Sequence, residues 1–189
     1  NCLNNQLNFT EGTLMPETYF YNFNSPASNI LIKSQDSFIE YAELLWEKKQ
    51  PSNPLKTLDE AIILASIVEK EAGNNKEKPI IAGVFLNRLN LNMRLQADPT
   101  IIYGLLPNFN GNITKLNLQD SSNRYNTYKI KGLPPTPIAM ISKSSLEAVI
   151  LGIPNNYVYF VAKGDGTHYF STNYADHLKA VRKFQLNKS

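Results

Sequence analysis

The chain has 189 residues, 42% of them hydrophobic, with ten tyrosines and nine phenylalanines, which suits one domain and excludes a disordered chain. Nineteen basic residues against sixteen acidic ones give a net charge of +3, scattered without a run, which argues against a nucleic-acid binder. The single cysteine, Cys2, leaves no internal disulfide, and no Cys/His cluster has metal-ligand spacing, so neither a metal nor another cofactor is expected.

No run of 18 apolar residues exists, so nothing in the chain is expected to span a membrane. Asn1 to Gln6 is polar and lacks an initiator methionine, so it reads as the start of a fragment or processed form rather than a signal peptide.

Residues 9–23 mix aromatics with Gly12 and Pro16 and read as a loop leading into a short strand. A helix is expected over Ser34 to Lys49, with Phe38, Tyr41, Ala42 and Leu45 on one face and Asp36 or Ser37 as cap. Pro51 and Pro54 break the pattern. From Thr57 the strongest helix begins, with Leu64, Ile67 and Val68 at i, i+3 and i+4, ended by Gly73. Asn74 and Glu77 resemble a capping box for the next helix, which has Pro79 early and Ile81, Val84, Phe85 and Leu89 as its buried stripe.

Asp98-Pro99 reads as a cap and first-turn proline for a helix over Thr100 to Leu105. Residues 107–137 are rich in Asn, Gly and Pro, a length of loop that is usually functional or mobile. Ser144 to Leu151 reads as a short helix. Tyr157 to Ala162 and Thr167 to Ser171 read as a hairpin about Gly164-Asp165-Gly166, and Thr172 as the cap of a last helix bearing Tyr174, Leu178, Val181 and Phe184. The expected class is α+β: helices packed with a small antiparallel sheet, in one domain over 1–189.

One carboxylate stands out. Glu71 lies at i+7 from Leu64, i+4 from Ile67 and i+3 from Val68, so it prolongs the apolar stripe. Glu69, roughly 200° away round the helix, falls with Ser66 and Lys70 on the polar side and is expected to tolerate substitution. A carboxyl at the end of an apolar face is desolvated, keeps its proton, and can act as a general acid. Spacing alone equally allows a last turn that reaches solvent, the commoner case.

Ordered blocks over nearly the whole chain narrow the choice. EGTLMPETY at 11–19, ASIVEKEAG at 65–73, VFLNRL at 84–89, MRLQADPTIIYG at 93–104, YNTYKIKGLPPTPI at 125–138 and YVYFVAKGDGTHYFS at 157–171 are quoted as they stand. With these blocks the chain resembles the endolytic murein transglycosylase (MltG, YceG-like) family. In that family the second glutamate of the EKE run is catalytic, and it corresponds to Glu71.

The resemblance implies a lytic transglycosylase, a lyase that cuts inside peptidoglycan glycan strands between N-acetylmuramic acid and N-acetylglucosamine. The muramic C6 hydroxyl attacks C1 and leaves a 1,6-anhydro end, so one carboxyl can serve as acid and then as base, where ordinary glycosidases use two. It further implies a parent protein anchored in the bacterial plasma membrane, its catalytic domain on the periplasmic or outer face. The family's membrane helix and LysM-like lobe are expected to be absent from this chain. Work in cell-wall synthesis and remodelling, beside the peptidoglycan synthases of the elongation machinery, is implied as well.

Gln96, Asn126 and Tyr125 lie in matched blocks and suit hydrogen bonding to sugar hydroxyl and acetamido groups, although Asn126 is also a good turn former. Tyr19, Tyr103 and Tyr128 suit stacking on sugar rings or an ordinary core. Glu11 and Glu17 are candidates for a second carboxylate, whereas Asp98 reads as a helix cap. Asn87 and Arg88 are expected to support the pocket wall, His168 to be a strand residue and His177 a helix-surface residue. A hydrolytic muramidase and a non-catalytic glycan-binding domain are the alternatives. A pyridoxal phosphate lyase finds no glycine-rich phosphate cup, and a serine hydrolase finds no GxSxG elbow.

Overall fold

Helix α2 (Leu58–Glu71) lies at the centre of the molecule, and its sequence explains both its start and its position. Thr57, in extended conformation, caps the first turn by accepting the Glu60 amide at 3.2 Å, and Asp59 and Glu60 face the positive end of the helix dipole. Ala61, Leu64, Ala65, Ile67 and Val68 are completely buried. They meet neighbours on several sides: α1 (Ala27–Trp46), α3 (Lys78–Asn90), α4 (Asp98–Leu105) and α6 (Lys143–Ile150). Each large aliphatic side chain buried in this way stabilises the fold by about 1.5–3 kcal/mol.

The computed structural model describes residues 10–153 and 155–186, so Cys2 lies outside the described residues. Element order confirms the α+β class: seven helices, the remaining one of the chain's middle being α5 (Lys115–Gln119), and a two-stranded antiparallel sheet of β1 (Tyr159–Ala162) and β2 (His168–Ser171), among the described residues. The strands pair Tyr159 with Ser171 and Ala162 with His168. Gly164 and Gly166 both have positive φ, 91° and 82°, which the turn between the strands requires. Asp165 steadies that turn by accepting the Thr167 amide and hydroxyl.

Several expected boundaries move. No strand forms among the described residues before β1: Tyr19 donates back to the Met15 carbonyl at 3.0 Å, and Phe20 and Phe23 stand in solvent with no ladder partner. Helix α1 starts at Ala27, behind Pro26, so Asp36 and Ser37 lie inside it rather than capping it. Its middle is tied to the preceding loop, Ser34 donating its hydroxyl to the Met15 carbonyl and accepting the Met15 amide at its own. Asn74 accepts the amides of Lys76 and Glu77 as expected, but Glu77 does not close a capping box, because its carboxylate reaches β2. The cap of α7 (Tyr174–Val181) is Asn173, not Thr172, and a π-helical turn, Arg182–Leu186, follows it.

The polar side assigned to α2 is only partly a solvent face: Lys70 is exposed, but Ser66 and Glu69 are engaged by other elements. Ser66 is fully enclosed, donating to the Ile63 carbonyl at 2.7 Å and accepting the Ile138 amide at 2.9 Å. Glu69 is a junction rather than a free surface residue. Its Oε2 accepts Lys78 Nζ at 3.1 Å, the Ser142 amide at 3.1 Å, the Ser142 hydroxyl at 2.6 Å and the Ser145 hydroxyl. Burial works to raise its pKa, but the hydrogen bonds from Ser142, Ser145 and Lys78 outweigh it and hold the carboxyl down at about 2. Helical periodicity cannot reveal this, since it describes one helix and the partners come from α3 and the start of α6.

Candidate active site

Glu71 is the last residue of α2. It is part-buried, and its carboxyl takes no hydrogen bond from the described residues. Burial pushes its pKa up from 4.5 to about 8, the nearby charge of Asp98 adds to the rise, and the Arg88 guanidinium opposes it. At neutral pH the group is therefore a carboxylic acid with a proton to give.

The acid opens into a cavity of about 450 Å³, within the usual range for ligand pockets. Arg88 of α3, Gln96, Asp98 of α4 and Tyr128 line it together with Tyr159, Phe160 and His168 of the hairpin and Tyr174 and His177 of α7. Every element that lines it is anchored elsewhere. Arg88 is only 6% exposed and clamps two backbone segments, Nε donating to the Val158 carbonyl at 2.7 Å and Nη1 to that of Leu95. Its neighbour Asn87 holds the carbonyls of Asn155 and Tyr157, so both support the wall as expected.

Gln96 sits in the left-handed region with φ 52°, a strained conformation for a non-glycine residue, held by its amide donating to the Thr127 carbonyl at 3.2 Å. Asp98 accepts the Tyr128 hydroxyl at 2.7 Å, and burial together with that contact pushes the tyrosine pKa up. Tyr159 stacks on His177 with ring centroids 5.1 Å apart, and the Arg88 guanidinium lies 5.5 Å from the Tyr159 centroid. Burial and the Arg88 charge hold the His177 pKa down, so its ring is neutral near pH 7.

Of the sugar-binding and carboxylate candidates singled out in the sequence, Glu71, Gln96 and Tyr128 line this cavity, and Asn126, Tyr125, Tyr103, Tyr19, Glu11 and Glu17 do not. Asn126 is fully buried: its Nδ2 donates to the carbonyls of Asn117, Leu118 and Asp120, and its Oδ1 accepts the Tyr128 amide. It shapes the loop that delivers Tyr128 and has no group left for a sugar. Tyr125 packs against Tyr103 at 4.8 Å and shares a hydrogen bond with Thr136 at 2.7 Å. Glu11 accepts the Tyr103 hydroxyl at 2.6 Å, and Glu17 pairs with Lys143 at 2.6 Å, so neither is a second carboxylate beside Glu71. Tyr19 borders separate shallow grooves.

Asp98 corrects the reading as a cap. It is the first residue of α4, Ala97 holds the cap position, and the Asp98 side chain belongs to the cavity. His177 likewise is half-buried and lines the cavity, rather than standing free on the helix surface. A signal for His177 was present in the sequence: it lies three after Tyr174 and four before Val181, on the face that carries the apolar residues of its helix. A polar residue set in an apolar stripe is kin to the pattern that marks Glu71. Among the described residues no group of three His, Cys, Asp or Glu side chains is placed to hold a metal.

The YceG-like family model matches residues 2–183 of this chain. A Bacillus subtilis protein named endolytic murein transglycosylase is 35% identical over 185 residues, which cover 95% of this chain and 49% of that protein. A Streptococcus pneumoniae protein of the same name is 31% identical over 183 residues, covering 94% and 33% respectively. The crystal structure of a yceG-like protein from Listeria monocytogenes superposes with a TM-score of 0.77 at 34% identity, covering 94% of this chain and 58% of that one. The chain thus spans about half or less of the length of these curated relatives.

Proposed function

Because the chain belongs to the YceG-like family, we propose that it is an endolytic lytic transglycosylase acting on peptidoglycan glycan strands. The observation that carries this reading is Glu71, a carboxyl held protonated near pH 7 in a polar cavity of ligand size. Glu71 donates its proton to the glycosidic oxygen between N-acetylmuramic acid and N-acetylglucosamine. The muramic C6 hydroxyl closes on C1 of its own sugar as the bond from C1 to the glycosidic oxygen breaks, with the proximity advantage of an intramolecular nucleophile; its proton passes to the Glu71 carboxylate, and a 1,6-anhydro end results.

The wall chemistry supports a sugar ligand. Tyr159, Tyr174 and His177 offer ring faces, while Gln96, Arg88 and Asp98 offer hydrogen-bonding groups. We further propose that the parent protein is anchored in the plasma membrane with this domain on the outer or periplasmic side, beside peptidoglycan synthases. Among the described residues no helix is long and apolar enough to cross a membrane.

One observation favours a second reading. Asp98 brings a second carboxylate to the cavity of Glu71, and a carboxylate pair is what a hydrolytic muramidase uses to activate water. Digestion of purified peptidoglycan followed by mass spectrometry separates the two. Anhydro-muramic ends support the transglycosylase, and reducing muramic ends in their place would overturn it.

A further inference from the structure

The hairpin leaves one strand edge open, and that edge runs along the cavity of Glu71. In an antiparallel pair, residues that exchange hydrogen bonds with the partner strand alternate with residues whose N–H and C=O point away from it. Lys163 donates its amide to the Thr167 carbonyl at 2.9 Å, so the bonded positions of β1, counted back in steps of two, are Val161 and Tyr159. Phe160 and Ala162 therefore turn their backbone groups outward. The partner strand obeys the same alternation: His168, opposite Ala162, sends its amide outward to Glu77 at 2.9 Å.

The outer edge of β1 is covered at its start, where Arg88 Nε donates to the Val158 carbonyl at 2.7 Å. Beyond that point the amides and carbonyls of Phe160 and Ala162 take no partner among the described residues. All four residues of β1 line the cavity, although their side chains alternate between the two faces of the sheet. A cavity on one face would meet every second residue, so this one lies along the edge of the strand. From β2 it meets His168 alone, which puts it on the outer side of β1.

The edge is also held in a fixed place relative to the acid. Two residues beyond Glu71, Gly73 packs so closely on the hairpin that a Cβ there would stand 2.5 Å from the Gly166 carbonyl oxygen. Asn74 Nδ2 donates to that same oxygen at 3.3 Å. The end of α2 and the hairpin therefore move as one piece.

Unpaired strand edges are usually blunted by charge, proline or a covering segment, because they recruit other chains. Phe160 and Ala162 carry no charge and keep their N–H groups. Their outward groups repeat about every 7 Å, the spacing of alternate residues in an extended peptide. A ligand in this cavity lies beside Glu71, so it belongs to the substrate, and a peptidoglycan strand offers amides from two sources. A sugar acetamido group carries one amide and can serve one of the two residues. The stem peptide on the lactyl group of N-acetylmuramic acid carries a run of amides and can serve both.

We propose that the outer edge of β1 is a subsite for the stem peptide of peptidoglycan, whose first amides pair with Phe160 and Ala162 as a short third strand; this rests on the peptidoglycan reading above. The pairing makes the enzyme selective for strands that still carry their peptides. Alternating L and D residues in such a peptide would spoil a long ladder, but two residues of edge require no more than its first few amides.

Hydrogen exchange on the inactive Glu71→Gln variant reads the amides of Phe160 and Ala162 directly. The ligands are uncrosslinked strands that carry their peptides, and the same strands stripped by an amidase. Peptide-bearing strands at saturation should slow exchange at both amides roughly 10-fold or more, and stripped strands should not. Equal slowing by both kinds of strand would assign the edge to the acetamido groups, and slowing by neither would leave it to some other partner. Either result overturns the proposal.

The second measurement is kcat/KM on the two kinds of strand for wild type and Ala162→Pro. Proline is tolerated at an outward position of an edge strand, because the N–H that it removes serves no ladder bond, and its ring fills the space where a peptide would pair. Wild type should favour peptide-bearing strands roughly 10-fold, and the variant should lose most of that preference. Stripping exposes a lactyl carboxylate, whose effect persists in the variant, so the part of the preference that Ala162→Pro removes is the part due to the edge. A folded variant that keeps the wild-type preference overturns the proposal, as does a wild type with none. If Ala162→Pro does not fold, hydrogen exchange decides alone. Failure of wild type to cut either kind of strand would instead bring down the transglycosylase reading, and the exchange measurement would still decide what the edge binds.

Discussion

Replacing Glu71 with glutamine should abolish cleavage and at the same time make the domain more stable, by an amount that depends on pH. The wild-type carboxyl titrates at about 8 in the folded protein against 4.5 for the ordinary group. Below pH 4.5 it is protonated in both folded and unfolded chains and imposes no penalty. As pH rises the unfolded chain releases this proton first, so stability declines steadily until the folded group also ionises near pH 8. A displacement of that size corresponds to at most about 5 kcal/mol. The carboxyl keeps an open side toward the cavity, so roughly 2–3 kcal/mol is the expected difference between variant and wild type at pH 8. Glutamine has nearly the same shape and no charge to desolvate. Urea unfolding of both proteins at pH 4, 6 and 8 measures the difference, and strand digestion measures activity. A stability gap independent of pH, or a variant that is less stable at pH 8, would show that the carboxyl is not held protonated by its surroundings. Wild-type kcat should fall as pH rises through about 8, and a profile flat from 7 to 9 would refute the same reasoning.

Glu69→Gln should destabilise the fold by roughly 2–4 kcal/mol, because Lys78, 5% exposed, is left without its counter-charge. The wild-type contribution of Glu69 is present above 4.5 and lost as pH falls toward 2, so the two proteins should converge in stability in acid. Asn126→Ala should cost roughly 2–4 kcal/mol, since three loop carbonyls and the Tyr128 amide lose their partner, and should weaken activity through Tyr128. Equal unfolding midpoints in urea for this variant and wild type would contradict it. Gly73→Ala has no room beside the Gly166 carbonyl, so the hairpin should be displaced and activity lost while α2 remains folded. Full activity in that variant would mean that the hairpin is not clamped.

The elements that were legible in the sequence are those whose signal is local. Thr57 before an apolar run starts α2, two glycines flanking Asp165 turn the hairpin, and the spacing of Leu64, Ile67, Val68 and Glu71 puts one glutamate at the inner end of its helix. Helical periodicity reports which way a side chain points relative to its own axis, and for Glu71 that was enough. It reports nothing about what other elements bring to meet it. Glu69 points the other way round α2, yet Ser142, Ser145 and Lys78 turn it into a part-buried junction. Asp98 has the sequence of a cap and becomes part of the cavity because Tyr128 arrives from a loop 30 residues later. Asn126 has a sugar-binding side chain, and that loop consumes all of its hydrogen bonds. The sequence by itself determined the class, the axis helix and the acid. Only the tertiary structure decided the acid's companions, because a cavity is made by groups distant along the chain, whose meeting depends on how whole elements pack.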